Sequence, residues 1–208
     1  MIADTCPTKP PGEIMVSAAL QPRVLADVGT QTWVRNLILV VGGAAFVGLS
    51  AQIAIPLPFT PVPLTLQTFA VLVTGAALGS LRGVLSLTIY AVAGVLGIPW
   101  FAEGSSGFSS PSFGYIIGFI LAALIVGRIA EHGATQSGAR SAGLMLVGNL
   151  VIYAVGVCWL KFAIDADWAT AIALGLTPFV VGDAIKIAAA AGLLPIAWSC
   201  LRKVGLVT

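Results

Sequence analysis

Residues 174–201, LGLTPFVVGDAIKIAAAAGLLPIAWSCL, contain two charged residues, Asp183 and Lys186, in an otherwise uncharged run. The length and composition of this run predict a membrane-spanning helix, because a span needs about 20 mostly apolar residues. A charge at the centre of such a helix costs about 2.5–3.5 kcal/mol on insertion scales, so the pair is a candidate for function. The three-residue separation places both side chains on one helix face, where they can partly neutralise each other.

The composition of the whole 208-residue chain extends this prediction to the entire protein. The chain is 58% hydrophobic and 9% charged, with a mean hydropathy of +1.03, whereas soluble domains carry about 25% charged residues. We therefore predict an all-α, multi-pass protein of the cell membrane. Its six transmembrane helices are predicted at about 34–55, 64–78, 84–98, 114–129, 142–160 and 178–201. Residues 1–33 are interpreted as a cytoplasmic N-terminal tail, which leaves 34–208 as one membrane domain.

The basic residues predict how the chain is oriented in the bilayer. If the spans alternate, Lys161 alone falls on one side and Lys186 lies within the membrane. The remaining basic residues share the other side: Lys9, Arg23, Arg35, Arg82, Arg128, Arg140, Arg202 and Lys203. By the positive-inside rule, both termini are predicted to be cytoplasmic.

The three connections predicted on the outer side have unusual compositions. Residues 55–64 contain four prolines, which exclude a helix and favour an extended chain. This apolar segment is interpreted as a lid over the protein or, equally well, as a rigid connector held in the interface. Residues 98–113 form a long aromatic loop, a type that is often functional. Residues 161–177 predict a short interfacial helix anchored by Trp168.

Polar residues from four of the spans are predicted to converge at one depth. A rise of 1.5 Å per residue places Asp183 about 7 Å and Lys186 about 12 Å from the outer end of the sixth span. The other polar residues expected near this level are Gln67, Tyr115, Asn149 and Tyr153. Each alone is explained as well by interhelical hydrogen bonding, interfacial anchoring or self-neutralisation. Together they favour a pocket open to the outside, suited to a small amphipathic molecule with a carboxylate.

Several other functions are disfavoured by what the sequence lacks. No GxxxxGK[ST] motif is present, so the chain does not bind ATP through a P-loop. Residues 104–107, GSSG, match a motif of rhomboid intramembrane proteases. The single histidine, His132, is predicted on the opposite side of the membrane, so a serine nucleophile would lack its base. We therefore expect no enzyme activity and no catalytic residues.

Metal, cofactor and nucleic-acid binding are also not expected. Cys6, Cys158 and Cys200 lack the spacing of a disulfide framework or zinc site, and the last two are expected as small apolar packing residues. A net charge of +2 without a basic stripe argues against nucleic acid.

Five short motifs occur in order along the chain. They are residues 58–69 (PFTPVPLTLQTF), 97–102 (GIPWFA), 113–115 (FGY), 148–149 (GN) and 182–186 (GDAIK). Together they resemble the BioY family, the biotin-specific S components of energy-coupling factor (ECF) transporters, from about Trp33 to the C-terminus. The resemblance implies a six-helix S-component fold that captures biotin from outside. It also implies that the ATPase subunits and the coupling transmembrane subunit are separate chains.

The resemblance further implies roles for the candidate site residues. Lys186 would bind the valerate carboxylate of biotin or orient Asp183, and Asp183 with Asn149 would bind the ureido group. Gln67 would complete the polar surroundings. The residues implied to cover the apolar bicycle are Tyr115, Trp100 and Phe101. Tyr153 joins the set because it lies one turn from Asn149 on the same helix face.

The chain departs from the family pattern at two places. Glu103 stands where the family commonly has glycine, which puts an anion at the pocket entrance or leaves a solvated side chain. The small residues that S components use to dock on the coupling subunit are represented by Ala44 and Gly48, for which packing within the chain is an equal explanation.

The predicted function is high-affinity biotin capture and uptake as an S component. The alternative is an autonomous, proton-coupled biotin carrier in which Asp183 and Lys186 relay protons, although no internal repeat typical of such carriers is evident. The sequence carries no signature of oligomeric state, and a homo-oligomer is compatible with it.

Overall fold

The computed structural model of the protein describes residues 23–207, and most of them are helical. Within that part of the chain, six helices have 12 or more residues: α1 Trp33–Ala51, α2 Gln67–Leu78, α3 Ser80–Val95, α4 Phe113–Ala130, α5 Gly138–Ala163 and α7 Val180–Lys203. A short helix, α6, spans Trp168–Gly175. Two short strands, β1 Ala54–Ile55 and β2 Leu64–Thr65, pair antiparallel. Most of the predicted tail, with Cys6 and Lys9, lies outside the described residues.

The six predicted spans correspond to the six long helices, and their ends differ for identifiable reasons. The first was expected to reach residue 55 but ends at Ala51, because Pro56 disfavours a helical residue before it and β1 forms instead. The second begins at Gln67, not at residue 64, since Leu64–Thr65 pair with β1. The third lies closer to the N-terminus than predicted, at Ser80–Val95.

A single glycine reverses the chain between α2 and α3. Gly79 has a φ of +84°, a backbone conformation that residues with a β-carbon rarely adopt. Beyond the turn, Gly83 lies against the backbone of Gly75, so that the two helices run back along each other at close range.

The bundle is arranged around α4, which packs against α2, α3 and α5. Helix α1 packs on α2 and α3, and α7 packs on α2 and α5. Many large apolar side chains remain on the outside, including Ile38 (65% exposed), Leu49 (71%) and Ile185 (67%), as a lipid-facing surface requires. Among the described residues, α1, α4, α5 and the stretch Trp168–Lys203 are long and apolar enough to cross a membrane.

Small residues in the bundle do not all lie where the sequence placed them. Ala44 and Gly48 are buried within the chain, and Gly48 lies against the Trp100 ring. The geometry therefore favours packing within the chain over an exposed docking motif. Cys158 and Cys200 were expected as packing residues, but both are exposed.

The end of the bundle predicted to be cytoplasmic is held by a polar cluster around Arg82. Its guanidinium forms an ion pair with Asp27 at 2.9 Å and donates hydrogen bonds to Gln31 (2.8 Å) and Asn36 (3.0 Å). Because Asp27 belongs to a 3-10 turn, Leu25–Asp27, these bonds pack residues 23–32 against the bundle.

At the opposite end, the proline-rich connection forms a loop between β1 and β2. The Thr60 hydroxyl donates a 2.8 Å hydrogen bond to the carbonyl of Leu174 at the end of α6, which ties the loop to the third connection. The predicted short helix is present and begins at Trp168. Asp167 caps it by accepting a hydrogen bond from the Thr170 amide, and bonding to Thr170 lowers the pKa of the Asp167 carboxyl.

Candidate ligand-binding site

A cavity lies beneath the proline-rich loop, between α2, α4, α5 and α7. Its empty volume is about 640 Å³, a figure that includes the part open to solvent. The aromatic residues that line it are Phe101, Phe113, Tyr115, Phe119, Tyr153 and Phe179. Val62 and Pro63 of the proline-rich loop also line the cavity, so the loop covers it as a lid would.

A charged cluster forms one wall of the cavity. Asp183 Oδ1 accepts hydrogen bonds from Lys186 Nζ at 2.9 Å and from the Thr68 hydroxyl at 3.2 Å. Lys186 Nζ also donates to Thr68 Oγ1 at 2.9 Å, and the Tyr153 hydroxyl donates to Asp183 Oδ2. The Asp183 and Lys186 side chains are only 6% and 14% exposed. Buried charges require such partners, because an unpaired ion away from water is very costly.

Another wall of the cavity is aromatic and is fixed in place by close packing. The Tyr115 hydroxyl donates a 2.7 Å hydrogen bond to the carbonyl of Gly175, so this hydroxyl is already engaged. Its ring stands at 90° to that of Tyr153, with centroids 6.4 Å apart. A β-carbon at residue 156 would overlap the Tyr115 ring, so Gly156 is what lets α5 approach this closely. The cavity thus combines a rigid apolar face with a charged one.

Gln67 contributes an amide from the first residue of α2 and is 5% exposed. Its Nε2 donates a 2.6 Å hydrogen bond to the hydroxyl of Tyr90, which is fully buried. Gln67 lines the cavity, whereas Tyr90 lies behind it. The carbonyl Oε1 of Gln67 has no hydrogen-bond partner among the described residues.

The cavity brings together six of the eight residues expected at the site: Gln67, Phe101, Tyr115, Tyr153, Asp183 and Lys186. The other two, Asn149 and Trp100, do not line it. Asn149 is 4% exposed and lies at a narrow recess that it shares with Lys186 and Ala190. Among the described residues, no group bonds its Oδ1. Trp100 packs against Tyr90 with ring centroids 5.2 Å apart. Ligand contact by any of the eight stays a prediction.

Sequence reasoning missed two residues that organise the site. Thr68 bridges Asp183 and Lys186, yet a threonine next to Gln67 at a helix start gives no distinctive pattern. Tyr90 left a weak signal, because a tyrosine within an apolar span needs a partner for its hydroxyl. That rule does not say which partner it has.

The serine motif does not form a catalytic pair. Ser105 lines the cavity and donates to the carbonyl of Ala102 at 2.8 Å. His132 follows the far end of α4 and contacts the carbonyl of Arg128. The 18 residues of α4, a length of about 27 Å, separate that end of the helix from the end at the cavity. Among residues 23–207, no group of three or more His, Cys, Asp or Glu side chains is arranged to hold a metal.

The fold and the cavity define a multi-pass helical membrane protein with a charged and aromatic cavity at one end of its bundle. Comparison with known proteins gives a more specific assignment. The model of the BioY family matches residues 18–203, which is most of the sequence. The chain belongs to the BioY family, as its ordered motifs predicted.

Curated relatives and a solved structure agree with this assignment. The biotin transporter BioY2 of Lactococcus lactis subsp. cremoris is 36% identical over 154 residues, covering 73% of this chain and 83% of the relative. The biotin transporter BioY of Thermotoga maritima is 38% identical over 160 residues, covering 76% and 92%. The crystal structure of the S-component for biotin from an ECF-type ABC transporter matches with a TM-score of 0.72 and 26% identity, covering 84% of this chain and 95% of that one. The predicted S-component fold is therefore confirmed.

Proposed function

We propose that the chain binds biotin in the cavity beneath the proline-rich loop and serves as the S component of an ECF transporter. The observation that carries the proposal is the Asp183–Lys186 ion pair, which faces a cavity with aromatic walls. The names of the relatives supply the ligand. The matching crystal structure, that of an S-component for biotin from an ECF-type ABC transporter, favours an S component over an autonomous carrier.

The chemistry of the cavity suits the three parts of biotin. Asp183 accepts three hydrogen bonds, and a carboxylate has about four acceptor positions, so one remains for a ureido N–H. Lys186 uses two of its three N–H donors on Thr68 and Asp183. Its third N–H donor remains for the carboxylate or the ureido carbonyl of biotin. The rings of Phe101 and Tyr115 would cover the apolar bicycle.

The proline-rich loop would retain the ligand in the cavity. Val62 and Pro63 already line it, and the bond from Thr60 to Leu174 fixes the loop at its tip. Opening this lid would admit biotin. Release inside would follow when the domain tilts against the coupling subunit, with ATP hydrolysed by separate subunits. We thus propose that the coupling subunit and the ATPase subunits are separate chains, and that this chain has no catalytic role.

Equilibrium binding of biotin to the purified full-length chain, without nucleotide or partners, tests the proposal. Asp183→Asn and Lys186→Ala should each lose most of the nanomolar affinity expected of the wild type, because each removes a group proposed to bind the ligand and leaves the partner charge buried and unpaired. Asp27→Asn is the matched control, since it makes the same chemical change in the ion pair with Arg82 at the other end of the bundle. Equal losses in Asp27→Asn and Asp183→Asn would contradict the proposal.

Proteoliposomes that contain only this chain separate the S component from the carrier. We expect no accumulation of biotin under a proton gradient, because the chain would lack its coupling and ATPase subunits. Accumulation that Asp183→Asn abolishes would instead support a proton-coupled carrier.

A further inference from the structure

Tyr90 does not line the cavity, yet it holds the side chain of a residue that does. Its hydroxyl is fully buried on α3 and accepts the 2.6 Å hydrogen bond from Gln67 Nε2. A buried tyrosine is usually explained by packing, and this one does pack against Phe101 with ring centroids 5.2 Å apart. Packing does not require the hydroxyl to meet an amide, so that bond calls for a separate explanation.

The position of the Tyr90 hydroxyl is fixed from behind by Trp100. The Trp100 indole Nε1 donates to the Tyr90 carbonyl at 3.0 Å, and the Tyr90 hydroxyl lies 3.5 Å from the Trp100 carbonyl. Gln52 Nε2 bonds the carbonyls of Trp100 and Phe101 at 3.0 and 3.2 Å, which anchors this loop to the end of α1. Tyr90 is therefore held at its backbone, its ring and its hydroxyl.

This arrangement determines what Gln67 can offer to a ligand. A glutamine amide has donors on its nitrogen and acceptor positions on its oxygen. One of the two N–H groups of Gln67 is bonded to Tyr90 behind the cavity wall, which fixes the plane of the amide, and Oε1 bonds no described residue. Asp183 is also an acceptor, so the cavity lining carries two side chains that can accept a hydrogen bond from an N–H donor. Fixing such a group before binding reduces the entropy that binding must overcome.

We propose that Tyr90 is a positioning residue that turns the Gln67 amide so that Oε1 accepts a hydrogen bond from an N–H group of the ligand. Trp100 acts through Tyr90 and does not cover the ligand. The inference rests on the proposed function, because it assigns Gln67 and Tyr90 their parts in recognising the ureido group of biotin.

A double-mutant cycle on biotin affinity tests this dependence. Tyr90→Phe deletes only the hydroxyl and should weaken biotin binding about tenfold, the effect expected for one neutral hydrogen bond. Gln67→Leu should weaken binding at least as much. In the Gln67→Leu background, Tyr90→Phe should change the dissociation constant by less than about twofold, since its effect passes through the missing amide.

Thr135→Val is the matched control for general loss of stability. It removes a hydroxyl that accepts a buried 2.9 Å hydrogen bond from Trp198 Nε1, at the other end of the bundle. It should lower the thermal midpoint about as much as Tyr90→Phe does, and biotin affinity should stay at the wild-type value.

Each outcome of this experiment bears on one claim. Failure of the wild type to bind biotin would overturn the proposed function. Binding by the wild type with effects of Tyr90→Phe and Gln67→Leu that multiply would overturn the positioning role alone. Loss of affinity in Thr135→Val equal to that in Tyr90→Phe would also overturn it, because stability would then explain both.

Discussion

Replacing Glu103 by glycine should stabilise the protein, although it removes an exposed side chain next to Ala102, which lines the cavity. Glu103 has φ +60° and ψ +28°, the left-handed conformation in which a β-carbon crowds the following carbonyl. The sequence resemblance placed a glycine here in the family pattern. The backbone conformation of Glu103 independently favours glycine at this position.

The magnitude follows from two opposing effects. The left-handed conformation costs a residue with a β-carbon about 1–2 kcal/mol. Glycine gives back about 0.4–1 kcal/mol of that gain, because it makes the unfolded chain more flexible. The net stabilisation should be about 0.5–1 kcal/mol, which raises the midpoint of a domain of this size by roughly 1–4 °C.

Thermal unfolding at one fixed heating rate is the appropriate assay, with Glu103→Ala as the control. Glu103→Ala removes the charge but keeps the β-carbon, so it should not raise the midpoint. Asp165→Gly tests the same reasoning elsewhere, because Asp165 is the other described residue besides glycine with a positive φ, at +50°. Equal midpoints for Glu103→Gly and Glu103→Ala would refute the reasoning, since charge and not backbone conformation would then explain the change.

Two further predictions concern the lid and the buried amide. Thr60→Val removes the hydrogen bond to Leu174 and should speed biotin dissociation by up to about tenfold. Stopped-flow kinetics would measure the dissociation rate. Thr170→Val is the control on α6, and an equal acceleration in that variant would contradict the prediction. Asn149→Leu removes a buried oxygen that lacks a partner, a defect that costs about 1–3 kcal/mol. The thermal midpoint should therefore not fall in Asn149→Leu. Biotin affinity should fall, because the family resemblance implies that Asn149 binds the ureido group, and unchanged affinity would remove Asn149 from the site.

The helices were largely predictable from the sequence, and their ends were less so. Apolar run length located six helices because a span has a minimum length. Pro56 and the other loop prolines were recognised as helix breakers, yet nothing local indicated that the residues beside them would pair as β1 and β2. The start of α3 depended on Gly79, whose positive φ only the folded chain shows.

The sequence predicted which residues lie at the site better than it predicted the contacts that they make. Helical spacing put Asp183 and Lys186 on one face, and depth brought Gln67 to their level. Depth does not specify how a helix is rotated, so Asn149 was expected in the cavity and lies beside it. Trp100 belongs to a loop, whose path has no periodicity to read, and its ring packs behind the wall.

Titration of radiolabelled biotin into the purified wild-type chain, with no nucleotide and no partner subunits, tests the central claim most directly. The account predicts saturable binding of one biotin per chain with nanomolar affinity, and loss of that binding in Asp183→Asn. A folded wild-type chain that shows no saturable binding would contradict it.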